Sequence, residues 1–348
     1  MSPWQPTREA LKKGRYGFAF ARRSLVHTNL QILYDCNFRC KICDFWHDRG
    51  DGQRPRMTAE QARIISDKLA SIGPQIVSIG GGEPLLHPEL MDIVSALSRH
   101  HIPVMICNGW YVNATNAREL FERGMYEVSV SCDYADPERH DRQRGMPGAH
   151  QRALAALKCL VDNRVHPEQR VHMISVVMDD NLDDIEPLIK MASDLGVTYL
   201  LTLYSHRRGA LSARDVPART TERLLELKAR YPEFVVLRGY VARFSEALEN
   251  AGIGPCYAGK NLCNVDSQGQ VSLCIDRVDE PVANLLVDDA KTVHRALLSA
   301  FERNDCKACW TSCRGTIETL MYGRDRLGNL RDYYAMAKPG ALRTGGAD

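Results

Sequence analysis

The sequence predicts an α/β protein: six strand–helix units forming a parallel sheet, followed by a smaller cysteine-rich module. Three observations carry that prediction. From residue 27 to residue 231, short apolar runs alternate with helical patterns. After residue 240 the alternation stops, and short strands and turns surround cysteines. The twelve cysteines are grouped, with Cys36, Cys40 and Cys43 near the start and six more between Cys256 and Cys313.

The elements follow in order. Residues 1–26 are basic and weakly amphipathic and read as a surface helix or an arm packed on the barrel, with a membrane- or lipid-touching role as the alternative. Residues 29–35 (NLQILYD) form a buried strand that runs into Cys36. Thr58 and Gln61 make a capping box that opens a helix with Ala62, Ile65, Leu69 and Ile72 on one face. Residues 76–81 form a strand entering glycines, and a helix follows over 88–100. Strands are predicted at 103–107, 126–133, 170–178 and 197–205, with helices at 115–123, 149–163, 182–195 and 217–231. Parallel strands need right-handed crossovers, so the sheet is either doubly wound or an incomplete barrel. In both, functional groups sit at the carboxyl ends of the strands. The predicted divisions are an arm at 1–26, the strand–helix domain at 27–240, the cysteine-rich module at 241–335 and a flexible tail at 336–348. Within the module, 286–303 reads as helical and a polar helix follows residue 315.

Composition narrows the function classes. The chain has 348 residues, 44% apolar and 25% charged, an ordinary globular balance. Its 45 Lys and Arg against 43 Asp and Glu give no electrostatic case for nucleic acid or an acidic membrane as the main partner. No apolar run approaches the roughly 20 residues of a spanning helix. The N-terminus lacks a secretory h-region, so a cytoplasmic location is expected, where cysteines serve metal or redox chemistry.

The first cysteine string is DCNFRCKICDFW, a C-x3-C-x2-C pattern just after the first strand. Thiolates are soft ligands for zinc or iron–sulfur clusters. A closed site takes four ligands and this loop supplies three, which on a four-iron cube leaves one iron open.

On these residues the sequence resembles the radical SAM enzymes. SIGGGEPLLH carries that family's glycine–glycine–glutamate motif at the end of the second strand, and ERHDRQRGMPG is similar to its HDxxRG segment. The resemblance covers residues 27–235 and implies a partial (β/α)6 TIM-type barrel with an iron–sulfur module. It implies that Cys36, Cys40 and Cys43 hold a [4Fe–4S] cluster, that Gly81 and Gly82 allow close backbone approach and that Glu83 accepts hydrogen bonds from the amino group of S-adenosylmethionine. Ser131 and Asp133, on one face of the fourth strand with Ser129, are implied to hold the ribose and methionine parts. Arg144 is implied to pair with the methionyl carboxylate, and Ile42, often aromatic in the family, to touch adenine. Reductive cleavage would give a 5′-deoxyadenosyl radical, with a flavodoxin- or ferredoxin-type protein as electron donor.

The second group is Cys256, Cys263, Cys274, Cys306, Cys309 and Cys313, with Gly269 five residues before Cys274. It resembles the SPASM/twitch extensions that hold auxiliary [4Fe–4S] clusters. Six thiols exceed one cluster and fall short of two, so one auxiliary cluster is expected, using Cys256, Cys274 and two others. Two clusters or a zinc site are the alternatives. Cys132 and Cys159 read as core. Cys107, at the end of the third strand, is a candidate hydrogen-atom donor as well as a packing residue. Tyr204, His206 and Arg207 end the sixth strand as candidate contacts. The expected substrate is a small natural product such as a sugar, aminocyclitol or nucleoside, oxidised, epimerised or decarboxylated. The alternatives are a ribosomally made peptide, or adenosyl addition to a lipid alkene.

Overall fold

Period-two and period-3.6 apolar patterns alternate along the chain, and the computed structural model shows the elements they demand. It describes residues 6–48, 55–73, 75–205 and 219–337. The barrel portion runs α1 (Pro6–Ala21), β1 (His27–Leu33), α2 (Phe45–Asp48), α3 (Ala59–Ile72), β2 (Ile76–Gly81), α4 (Leu90–Ser98), β3 (Ile102–Cys107), α5 (Ala114–Glu122) and β4 (Glu127–Ser131). It continues with α6 (Pro137–Arg144), α7 (Ala149–Asp162), β5 (Arg170–Val177), α8 (Ile185–Asp194), β6 (Thr198–Leu203) and α9 (Thr220–Arg230). The remainder comprises α10 (Arg238–Val241), α11 (Phe244–Glu249), β7 (Leu262–Val265), β8 (Gln270–Ser272), β9 (Ala283–Asn284), α12 (Ala290–Glu302), α13 (Ser312–Tyr322) and α14 (Arg326–Ala337).

The strand order is β6-β5-β4-β3-β2-β1-β7-β8-β9, parallel from β6 through β7. Six successive strands march in one direction with no reversal, so their right-handed crossovers all fall on one face. That order selects the incomplete barrel over the doubly wound sheet. Leu30 and Ile32 of β1 join Ile65 and Leu69 of α3, Val77 and Ile79 of β2, and Val128 and Val130 of β4 in one core on the helix side. Each fully buried Leu or Ile there contributes about 2 kcal/mol. The capping box of α3 is formed, with Gln61 N donating to Thr58 Oγ1 and Thr58 N donating to Gln61 Oε1.

The structure adds to and departs from the sequence reading. The cysteine-rich module continues the barrel sheet: β7 pairs in parallel with β1, and β8 and β9 extend the same sheet. The helix expected to be polar is buried, because Arg314 and Glu318 of α13 satisfy each other at 2.8 Å. Helix α6 was not foreseen, although Asp136 as N-cap, Pro137 at the first turn and Gly145 past the end are its signals. The tail at 338–348 lies outside the described residues, and no described helix is long and apolar enough to cross a membrane.

Candidate active site

The cysteine loop leaves the carboxyl end of β1 and is braced from two sides. Phe38 N donates to Cys36 Sγ at 3.4 Å, and Trp46 Nε1 donates to the Cys40 carbonyl at 3.1 Å. From the other side, Arg39 N and Lys41 N donate to the carbonyls of Arg144 and Gln143 at 3.2 and 3.0 Å. Gly145, at φ +63, lets α6 come this close: a Cβ there would stand 2.6 Å from the Arg39 carbonyl oxygen. Cys36, Cys40 and Cys43 share one packed group with Phe38, Ile42 and Trp110. Burial pushes the Cys36 thiol up to about 12 and raises that of Cys40, so a soft metal must displace their protons. Among the described residues no trio of ligating side chains surrounds a single ion position. A cube takes each thiolate on a different iron, so three soft thiols lining one loop fit it.

The glycine–glutamate segment is joined to the same loop. Gly82 N donates to the Leu33 carbonyl and Glu83 N to that of Asp35, both at 2.9 Å. A Cβ on Gly82 would lie 1.9 Å from the Asp35 oxygen, so only glycine fits. Glu83 is 1% exposed, and its carboxylate accepts from Asn108 N at 2.8 Å and Leu85 N at 3.2 Å. Burial outweighs these bonds and pushes its carboxyl up to about 7. Asn108 also donates through Nδ2 to Asn37 Oδ1 at 2.9 Å, tying this platform to the cysteines. The sequence reading missed Asn108; its place at the end of β3 was the available signal.

Asp133 and Arg144, implied by the resemblance to hold different parts of the cofactor, come together in the structure. They form a buried ion pair at 2.6 Å, and Asp133 Oδ1 also accepts from Val176 N at 2.9 Å. Arg144 Nη1 lies 4.0 Å from Cys40 Sγ, so the guanidinium spans Asp133 and the cysteine loop. Ile42 packs with Val176, Tyr134, Met178 and Tyr204 in an apolar slot at the carboxyl ends of β4, β5 and β6. Tyr134 and Met178 were not foreseen. His206 and Arg207 lie outside the described residues.

The concave face of the sheet is open above and polar below. Ile106, in mid-sheet β3, is 43% exposed, and Ser131 is half-buried on the same face. Deeper down, Glu127 of β4 and His172 of β5 stand 3.2 Å apart, and His172 Nδ1 meets Thr198 Oγ1. Gln31 Nε2 donates to Asn264 Oδ1 at 3.3 Å, and Asn264 Nδ2 to Ser272 Oγ at 3.3 Å. Asn29 Nδ2 and Gln31 Oε1 are buried with no hydrogen-bond partner among the described residues.

Cys107 is turned away from this lumen. It sits opposite Val130 in the register and 3% exposed in the helix-side core, because alternation sends it with Met105 rather than with Ile106. The geometry does not place it to give a hydrogen atom to anything in the lumen. Cys132 is fully buried in the same core, and Cys159 packs against it from α7.

The six C-terminal cysteines separate. Cys256, Cys274 and Cys306 meet in one packed group between α1, α13 and β7. Contact with Cys306, and then burial, raises the Cys256 thiol. Arg314 draws Cys309 to them: it is 2% exposed, donates through Nη1 to the Cys309 carbonyl at 2.8 Å and through Nη2 to that of Pro255 at 2.9 Å. Cys313 lies beside Thr311 Oγ1 at 3.3 Å. Cys263 is not brought to the group: on β7 it faces Thr28 Oγ1 at 3.4 Å in the barrel core. The module fills the barrel's open side, since Ser312 N donates to Thr202 Oγ1 of β6 at 2.9 Å and Ser205 Oγ to Asp276 at 3.2 Å.

Comparison with known proteins places this arrangement. Residues 30–192 match the family model described as the Radical SAM superfamily. The chain is 29% identical over 272 residues to an AdoMet-dependent heme synthase of Methanosarcina barkeri, covering 70% of this chain and 75% of that protein. It is 27% identical over 308 residues to the mycofactocin maturase MftC of Mycobacterium ulcerans, covering 82% and 80%. In fold it is similar to SuiB of Streptococcus suis, with a TM-score of 0.61 at 15% identity over 82% of this chain and 70% of that one.

Proposed function

Because the chain belongs to the radical SAM superfamily, enzymes that work with a [4Fe–4S] cluster and S-adenosylmethionine, we propose that it abstracts hydrogen from a small polar natural product held in the barrel lumen. Bound together, the cluster and S-adenosylmethionine supply reductive cleavage to a 5′-deoxyadenosyl radical. The chain's own residues do the holding. Cys36, Cys40 and Cys43 would carry the cluster, braced by the α6 backbone. Glu83, ionised, would accept the amino group, and Gly81 and Gly82 let the methionine approach the backbone. Ile42, Tyr134, Met178 and Tyr204 form a slot suited to a purine face. Ser131 faces the lumen above, where it can meet the ribose, and the Asp133–Arg144 pair fixes the wall beside it.

The observation that supports the substrate reading is the polar floor of the concave face, made by Glu127 and His172 together with Asn29, Gln31 and Asn264. A floor of amides, a carboxylate and an imidazole suits a hydroxyl- or amide-bearing substrate better than an apolar one. Cys256, Cys274, Cys306 and Cys309 would hold one auxiliary [4Fe–4S] cluster able to exchange an electron at the barrel's open side. Thiols in this number and grouping suit metal chemistry in a reducing compartment, the cytoplasm, with a flavodoxin- or ferredoxin-type donor.

A second reading, modification of a peptide, is supported by the likeness to the protein named a maturase. One experiment separates the two. The anaerobically reconstituted enzyme is given S-adenosylmethionine, dithionite, and either sugars, aminocyclitols and nucleosides or candidate precursor peptides. Formation of 5′-deoxyadenosine above the substrate-free rate by a small polar compound supports the lumen reading. Stimulation by peptides alone overturns it.

A further inference from the structure

Nine large apolar side chains are markedly exposed among the described residues, and six of them lie on the two terminal helices: Leu11, Phe18, Leu327, Leu330, Tyr333 and Tyr334. The two helices lie at one end of the barrel. Lys12 of α1 donates to the carbonyls of Ser98 and His101, at the entry to β3, at 2.9 and 3.2 Å. Lys13 sits 5.1 Å over the ring of Tyr126, at the entry to β4, and Tyr333 of α14 feels Arg170, Tyr126 and Glu127. Burial raises the pKa of the Tyr16 phenol of α1, and the charge of Tyr333 on α14 raises it further. This is the end away from the cysteine loop.

The exposed stripes have a regular make-up. On α1 and just past its end, Leu11, Arg15, Phe18 and Arg22 recur at helical spacing, with the Arg22 guanidinium 5.6 Å from the Phe18 ring. On α14, Leu327, Leu330, Arg331 and Tyr334 do the same. Segments 6–23 and 324–337 hold nine Lys and Arg against three Asp and Glu, in a chain of net charge +2. Of the three acids, Glu9 and Asp332 are buried against Lys12 and Arg238. The third, Asp325, is exposed between Arg324 and Arg326, and Lys13 pairs with Glu168, so what faces outward is apolar residues, tyrosines and more cations than acids. That is the composition of a helix lying in a lipid interface, where arginine stems cover apolar surface while their heads reach phosphates. A second copy of the same face would set cations against cations.

We propose that α1 and α14 form a docking face for an anionic membrane surface, holding the enzyme peripherally with its cysteine loop directed away from the bilayer. The test uses the full-length reconstituted enzyme in flotation with vesicles of phosphatidylcholine containing about 30% phosphatidylserine, against pure phosphatidylcholine. Binding is expected only to the anionic vesicles, and it weakens as salt rises. The double changes L11S/F18S and L327S/Y334S should each lower the partition constant about tenfold or more. Arg15→Gln and Arg22→Gln should each lower it about fivefold. Substrate-free S-adenosylmethionine cleavage and melting temperature, read on the same samples, should stay unchanged. Equal binding to both vesicle types, no binding at low salt, or binding indifferent to these substitutions overturns the proposal. So does a dimer in sedimentation that the same substitutions dissolve while no vesicle binding occurs.

Discussion

The two cysteine regions bring their proposed ligands together by different routes. The first set is local: eight consecutive positions from Cys36 to Cys43, fixed by backbone bonds to α6 and by Trp46. The second is assembled from distant stretches around Cys256, Cys274 and Cys306–Cys309, and a buried Arg314–Glu318 pair joins them. Glu318 also accepts from Tyr257 N at 2.9 Å, so one ion pair grips both the turn carrying Cys256 and the loop carrying Cys309. A local motif can be read from spacing, whereas a dispersed one depends on what folds around it.

Breaking each region separately tests that contrast. The largest effect is expected from Cys36, Cys40 and Cys43 all changed to Ala. Formation of 5′-deoxyadenosine should fall to background while iron drops only to the about four per chain of the auxiliary site. Cys256→Ala should do the reverse, lowering iron by about four per chain while dithionite-driven S-adenosylmethionine cleavage persists. If one change removes both irons, the two regions are not independent.

Arg314→Met should be next, because it leaves Glu318 buried without its partner. The expected loss of about 3–5 kcal/mol is read by chemical denaturation, and auxiliary iron should be lost at the same time. Replacing Arg314 and Glu318 together by Met and Leu should recover much of that stability. An undisturbed auxiliary site in the single variant would show that Arg314 does not organise it.

A smaller effect sharpens the first region through Glu83. Its carboxyl sits near 7 and must be ionised to accept an ammonium, so affinity for S-adenosylmethionine should fall as pH drops through about 7. Between pH 8 and pH 6 the loss should be about tenfold by calorimetry, and Glu83→Gln should flatten the profile. Linkage has the opposite sign for stability: folding raises this acid's pKa, so its contribution favours the fold in acid and diminishes as pH rises toward 7. The smallest effect belongs to Cys263→Ala. It should leave iron content unchanged and cost about 1 kcal/mol of stability, whereas loss of a cluster on this change would return Cys263 to the ligand set.

The sequence by itself determined the six strand–helix units, the capping box at Thr58, the cysteine triplet and the glycine–glutamate platform. Each is a short-range pattern whose cause, alternation, a cap, a thiol spacing or a tight turn, lies within a few residues. Only the tertiary structure decided that Cys263 and Cys107 face the core, that Asp133 and Arg144 answer each other, and that Arg314 gathers Cys309 to Cys256. Register with a neighbouring strand sets which face a side chain takes. Burial, in turn, decides which distant charge it must find, and neither neighbour is adjacent in the chain.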